Sequence, residues 1–355
     1  MRSSLTSANR EGWAFALPGI VLIFAFIITP FILAFGFSLT NQRLISPNPT
    51  RYVGLENYQQ MLGLAFVSLD AKQDPNGKVA TDPSGHPEFP PLRTITRNAD
   101  TPQYRGMQEW FRWETGTQAH LVIARDVVFW KALVNTCLFV LIVAPVQAGL
   151  ALGLALLINQ KLRGITLFRT IYFMPVVVSI VVVSLLWRFI YDGHDGLLNN
   201  MLAGLSFGHF HPVDWLGNPH TALGSIMVMS IWQAVGFHMV IWLSGLQTIS
   251  PTLYEAAAIE GSSSWQTFRY VTWPGLRHTA VLVLIVITMQ SFALFSQIDV
   301  MTKGGPLDST QTLVFQAVQR GYGLQDIAGG STISVILFVI VLSISLLQRW
   351  LTRER

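Results

Sequence analysis

Residues 250–276 read SPTLYEAAAIEGSSSWQTFRYVTWPGL, a short amphipathic island between two long apolar runs at 222–245 and 279–300. Ser250 is a good N-cap, and Pro251 suits the first helical position, where no N–H is needed. Residues 253–260 are good helix formers, with Ala256, Ala257 and Ala258 in succession. Gly261 stands where such a helix would stop. A second short piece is expected over 264–271, and Pro274 is expected to break it. The reading is a helix–turn–helix outside a bilayer, between two membrane spans. The small alanines keep one side low, so that another protein's groove can approach the backbone. Glu255 and Glu260 charge the edges.

Composition agrees with a membrane setting. The 355 residues are 51% hydrophobic and 12% charged, against about 25% charged in soluble domains. Six apolar runs, 13–39, 130–158, 167–191, 222–245, 279–300 and 331–350, are each long enough to cross ~30 Å of hydrocarbon. The first is too long for a signal-peptide core of about 7–15 residues, so it reads as a retained anchor. Cys137, the one cysteine, lies in an apolar run and can form no intramolecular disulfide. No basic tract suits nucleic acid.

Lys and Arg in short loops set the orientation. Arg2 and Arg10, Lys161, Arg163 and Arg169, Arg269 and Arg277, and Arg349, Arg353 and Arg355 all fall on one side if the spans alternate. The opposite segment 192–221 has no Lys or Arg. Both termini (1–12 and 351–355) and the 246–278 loop are therefore expected in the cytoplasm. The outer segment 40–129 also carries basic residues, but long segments translocate despite their charge.

That outer segment holds an insert, 64–126, rich in proline (Pro75, Pro83, Pro87, Pro90, Pro91, Pro102) and polar residues. No apolar period in it signals a buried core. Trp110, Phe111 and Trp113 lie close together and suit a membrane interface. The insert reads as a loop over the outer mouth or as a dock for a solute-binding protein, and the two are compatible.

Several marks carry a family resemblance. E-A-A-A-I-E-G at 255–261, followed by Pro274, resembles the EAA loop of bacterial ABC importer permeases. The usual form is E-A-A-x-x-D-G-A ending in Leu-Pro; here Glu260 replaces Asp, Ser262 replaces Ala and Trp273 replaces Leu. Residues 52–58, YVGLENY, resemble F-V-G-L-x-N-Y. Residues 164–170, GITLFRT, with Pro175, resemble R-G-x-x-x-F-R-x-x-x-x-x-P. Residues 299–310, DVMTKGGPLDST, resemble L-T-x-G-G-P-x-x-x-T, in the expected place between spans five and six. Together these are similar to the carbohydrate-uptake class, which includes the maltose and glycerol-phosphate importers.

The resemblance implies an all-α membrane protein of six transmembrane helices with a cytoplasmic EAA coupling helix. Span 13–39 would precede a five-helix core, 130–350, that includes the 246–278 loop. It also implies that Tyr254, Glu255, Ala256, Ala257, Ile259, Glu260 and Gly261 face an ATPase. The implied partners are a second permease completing a heterodimer, two ABC ATPase subunits, and a periplasmic or lipid-anchored solute-binding protein. The implied place is the bacterial inner membrane. ATP and Mg would be bound by the partner ATPase, with no cofactor in this chain.

The residues themselves support a passive translocation subunit. There is no G-x-x-x-x-G-K-[ST] phosphate loop and no catalytic constellation. His194, His209, His211 and His220 lack a convincing metal spacing. No Asp or Glu falls within the spans except Asp299, at an outer end, which argues against an ion-coupled secondary carrier or channel. A membrane-embedded enzyme or assembly factor is the other rival.

Polar residues inside the spans cluster on two helices. Ser230, Gln233, Phe237 and Ser244 share one face of span four, with His238 beside it. Gln290, Leu294 and Gln297 share a face of span five, flanked by Ser291 and Phe295. An unpaired amide in hydrocarbon costs several kcal/mol, so both faces should meet protein or a wet cavity. Neutral amides and hydroxyls beside aromatic rings suit a sugar. The bland alternative is interhelical hydrogen bonding. In maltose-type relatives the sugar contacts come from these two segments, and the matching positions are Gln233, Ala234, Phe237, Ser291 and Leu294, just before Phe295.

Overall fold

The computed structural model describes residues 2–74, 78–81, 86–160, 164–207 and 209–351. Pro75, Pro83, Lys161, Arg163, Arg353 and Arg355, used in the sequence reading, lie outside the described residues. Two compact units are formed, Met1–Asp126 with Ala317–Phe338, and Val127–Gln316 with Val339–Arg355.

In the first unit α1 (Arg2–Ile23) runs through a π-helical turn, Phe24–Ile28, into α2 (Thr29–Ser38). The widened turn lies where Pro30 can give no N–H to the preceding turn. In the apolar stretch Phe15–Ser38, residues 15–37 are not buried within the protein, and Ser38 at its end is. The end of α2 is capped by the YVGLENY motif. Asn57, on α3 (Glu56–Leu62), donates its amide to Ser38 O and Thr40 O, both at 2.8 Å. Tyr58 OH meets Ser38 Oγ at 2.7 Å. The motif therefore satisfies carbonyls that a helix end leaves free. The first turns of the C-terminal helix Ile327–Leu351 join this unit, with Phe31 and Phe338 in ring contact at 4.4 Å.

The insert corrects the expectation of a coreless loop, and with it the all-α reading: the described residues are mostly helical with one small sheet. Strands β1 (Leu64–Asp70), β2 (Gln108–Thr115) and β3 (Gln118–Ala124) form an antiparallel sheet in the order β1-β3-β2. Phe66, Val122 and Phe111 lie in one row, and Ser68, His120 and Trp113 lie two rows along on the same face. Ala119, Leu121 and Ile123 of β3 alternate onto a buried face with Leu69 and Met107, covered by Phe89, Leu92, Ile95 and Tyr104. Burying that face gives the sheet its register. Trp113 stacks on His120 at 5.3 Å on the opposite face, and Trp110, Phe111 and Trp113 all belong to β2.

The second unit is built on two long helices, α4 (Val127–Ile158) and α8 (Ala222–Gln247). Ala144, Ala148, Ala151 and Ala155 are buried at helical spacing on α4, so the backbones can approach closely, and Trp242 Nε1 donates to Ala148 O at 3.1 Å. Gly236 and Gly245 notch α8 for its other neighbours: a Cβ on Gly245 would lie 2.3 Å from Thr279 Oγ1.

Two expected spans are not single helices. Residues 167–191 form α5 (Ile165–Val177) and α6 (Ile180–Ile190), bent by 98°. Pro175 lies in the last turn of α5, and Val178 and Ser179 are extended with ψ of 138° and 133°. A short helix α7 (Leu197–Leu205) follows, and buried Asn199 on it donates to the carbonyls of Asp192, Gly193 and Val213.

After α8 come α9 (Pro251–Ile259) and α10 (Ser264–Gly275), then α11 (Arg277–Phe292) and α12 (Ser296–Met301). The expected span 279–300 is thus opened at Ala293–Phe295. Pro274 does not break the second piece of the island as expected. A π-helical stretch, Phe268–Thr272, has already opened the ladder, with Trp273 N–H bonded to Phe268 O, and the 68° bend falls later, before α11. Ser250 Oγ pairs with Thr252 Oγ1 rather than capping α9. Ser263 and Gln266 instead form a reciprocal capping box on α10. Among the described residues four helices are long and apolar enough to cross a membrane, or six if each bent pair is one span.

Candidate functional site

Inside the second unit, α4, α8 and α11 wall a cavity of ≈ 340 Å³. Helix α8 contributes Ser230, Gln233, Ala234 and Phe237, spaced by three and four residues on one side. Helix α11 contributes Ile287, Gln290 and Ser291. The helix breaks supply the rest of the frame. Leu294 comes from the opened segment, Gln297 from α12, and Val176 and Ile180 flank the bend between α5 and α6. The carbonyl of Leu294, released by the break, accepts from Thr312 Oγ1 at 2.9 Å. The lining contains amides, hydroxyls, aliphatic chains and aromatic rings, with no charged side chain.

Six of the seven expected contact residues, Gln233, Ala234, Phe237, Gln290, Ser291 and Leu294, line this one cavity. Phe295 does not. The helix is interrupted before it (φ −129°, ψ −62°), so the spacing from Ser291 is not carried through. Its ring stacks on Phe315 at 6.1 Å instead. Ser244 is exposed further along α8 and is also not in the lining.

The residue that sequence reasoning missed is Gln147 on α4. It is 3% exposed, lines the cavity and lies 2.8 Å, amide nitrogen to ring nitrogen, from His238 Nδ1. The same Nδ1 is 2.9 Å from Ala234 O. The signal was present: Gln147 is one of two amides, with Asn135, in the apolar run 130–158, and is subject to the same desolvation argument as Gln233.

The 250–276 island forms an exposed elbow. Helix α9 ends in a left-handed Gly261 (φ +71°), with Ser262 N–H bonded to Ala257 O and Gly261 N–H to Ala258 O. That is the Schellman pattern, which seals the last carbonyls. Tyr254 OH reaches Thr272 Oγ1 at 3.2 Å and ties α9 to α10. Glu255, Ala256, Glu260 and Gly261 are exposed, Ala257 is half-buried, and Ile259 is 87% exposed. Trp265, 70% exposed, stacks on Phe268 beside it. The G-G-P turn at the other end of the unit is held by Asn135, whose amide donates to Ser309 O and Gln311 O at 3.0 Å each.

Residues 132–355 match the family described as the binding-protein-dependent transport system inner membrane component, and the chain belongs to that family. The chain is 33% identical to the lactose transport system permease protein of Rhizobium radiobacter over 75% of its own length and 89% of the relative's. It is 32% identical to the trehalose/maltose transport system permease protein of Thermococcus litoralis over 68% of its length and 80% of that protein's. Its fold is like that of a bacterial ABC transporter involved in the import of the acidic polysaccharide alginate. That likeness has TM-score 0.69 and 18% identity, and covers 99% of this chain and 98% of that one.

Proposed function

We propose that the chain is the membrane-spanning permease subunit of an ATP-driven importer that moves an uncharged sugar into the cytoplasm. One observation carries this reading. Three glutamines of α8, α11 and α12, with Ser230, Ser291 and Phe237, converge on one cavity that has no charged lining. Amides and hydroxyls match the alternating donors and acceptors of sugar hydroxyls, and an aromatic ring takes the CH face. The names of the relatives, lactose and trehalose/maltose permeases, point the same way. A uronate-rich polymer would want a cation in the wall.

In this reading the chain performs no covalent step. A second permease completes the pore, and two ATPase subunits supply the energy through the elbows. A solute-binding protein delivers sugar from outside, and the termini and the elbow lie in the cytoplasm. Tyr254, Glu255, Ala256, Ala257, Ile259, Glu260 and Gly261 form the face presented to the ATPase, whose closure swings the elbow and reorients the cavity. The apolar side chains exposed there, Ile259 and Trp265, are what a protein groove would cover. The test is uptake of labelled maltose, lactose and trehalose by vesicles holding the full assembly. Uptake should need ATP and the binding protein and fall in Gln233→Ala. Uptake driven by an ion gradient without ATP would sink the reading.

A further inference from the structure

We propose that His238 fixes which end of the Gln147 amide faces the cavity, so that Gln147 presents an N–H donor to an oxygen of the solute. The proposal rests on the cavity being the solute's path, as argued above, and adds a specificity-determining residue on α4 and a positioning residue behind it.

His238 is fully buried and Gln147 nearly so, so neither relies on bulk water. Nδ1 of His238 sits 2.9 Å from Ala234 O and 2.8 Å from the Gln147 amide. A carbonyl oxygen only accepts, whereas a glutamine amide is oxygen at one end and nitrogen at the other in nearly the same shape. Two arrangements follow. With hydrogen on Nδ1, Ala234 O accepts it and the Gln147 oxygen turns to share it. The amide NH2 of Gln147 then faces the cavity. With Nδ1 bare, Gln147 donates to it, but Ala234 O confronts a lone pair, and the Gln147 oxygen faces the cavity.

Nε2 of His238 decides between them. It is buried, with no hydrogen-bond partner among the described residues. In the first arrangement Nε2 is a bare acceptor; in the second it is an orphaned N–H. Buried unpaired donors are the rarer and costlier of the two. Both nitrogens therefore favour hydrogen on Nδ1, and the edge-on Phe237 ring, 5.3 Å away, helps hold the imidazole in place. A donor fixed in the wall recognises the oxygen of one sugar hydroxyl.

The experiment uses the full assembly in vesicles at saturating loaded binding protein, so that the binding protein's own affinity drops out. The probes are maltose, lactose and trehalose with their monodeoxy analogues. Wild type should discriminate against at least one monodeoxy analogue by roughly tenfold, the scale of one lost buried hydrogen bond. Gln147→Met, apolar and of like length, should reduce that ratio to near one. His238→Phe should do the same at the same sugar position, although His238 is not in the lining. His238→Asn, which restores an N–H near Nδ1, should recover most of the discrimination. A merely structural role would lower uptake of every sugar alike and leave the ratio unchanged. If Gln147→Met keeps the full discrimination while Gln233→Ala loses it, the pair proposal fails and the cavity reading stands. If no cavity variant alters any ratio, both fail. Should His238→Phe not assemble, Gln147→Met carries the test.

Discussion

Gly236 of α8 lies so close to Tyr172 of α5 that a Cβ added to it would sit 2.0 Å from the Tyr172 carbonyl oxygen. The obstacle is backbone, which cannot rotate away as a side-chain tip can. The crossing of α5 and α8 beside the cavity therefore depends on a missing methyl group.

Gly236→Ala should destabilise the second unit by about 1–3 kcal/mol, the usual cost of overpacking. It should also lower uptake, because Val176 of α5 lines the cavity. Gly149→Ala, where nothing lies within 4 Å, is the control and should be neutral or slightly stabilising. Thermal unfolding in detergent, with uptake measured in parallel, checks both. Equal behaviour of the two variants would contradict the close crossing.

Asn57→Ala should free the carbonyls of Ser38 and Thr40 at the end of α2. The expected cost is about 1–3 kcal/mol, felt locally. Hydrogen exchange at the end of α2 and in α3 should speed up, while exchange in α8 stays as it was. Unchanged exchange around Ser38 would mean that the YVGLENY motif does not act as a cap.

Ile259→Glu should leave folding intact, because the side chain is 87% exposed and touches no core. If the elbow fits an ATPase groove, that substitution costs the burial of one large aliphatic chain, about 1.5–3 kcal/mol, or roughly 10–150-fold in association. Co-purification of the ATPase and sugar-stimulated ATP hydrolysis should fall together, with the melting temperature of the permease unmoved. Normal co-purification would remove the elbow from the proposed interface.

Asp192, beyond the end of α6, is held below the usual aspartate range by the N–H groups of Asp195 and His194, each donating to its carboxylate at 3.0 Å. A depressed folded-state value means that this contribution is fully present above the unfolded value of about 3.9 and is lost as pH falls through the folded one. Order in the 192–195 turn, followed by hydrogen exchange, should persist to just below that range and then collapse. Asp192→Asn should abolish the pH dependence. A collapse at pH 5 in the wild type would contradict it.

Much of the architecture was legible because hydrocarbon imposes length and polarity rules on each segment separately. The four long helices fall where the apolar runs do. The face shared by Gln233 and Phe237 follows from helical spacing and did come to line a cavity. The sheet in the insert was not legible. Its pairing joins Asp70 to Gln118 across a proline-rich stretch, and the alternation in β3 covers only Ala119, Leu121 and Ile123. Short strands joined over long loops carry too little local signal to separate from a polar linker.

The sequence alone determined the membrane class, the family and the island at 250–276, because burial in lipid, helix propensity and the stop at Gly261 act on neighbouring residues. Where the helices break, and hence which side chains meet, emerged from the packed fold alone. The bend after Pro175 brings Val176 and Ile180 to the cavity, and the opening at Ala293 turns Phe295 away to Phe315. It also brought Gln147 of α4 to His238 of α8. Such meetings depend on how closely helices distant in sequence approach, which rests on notches such as Gly236 and the alanines of α4, and no single segment encodes that distance.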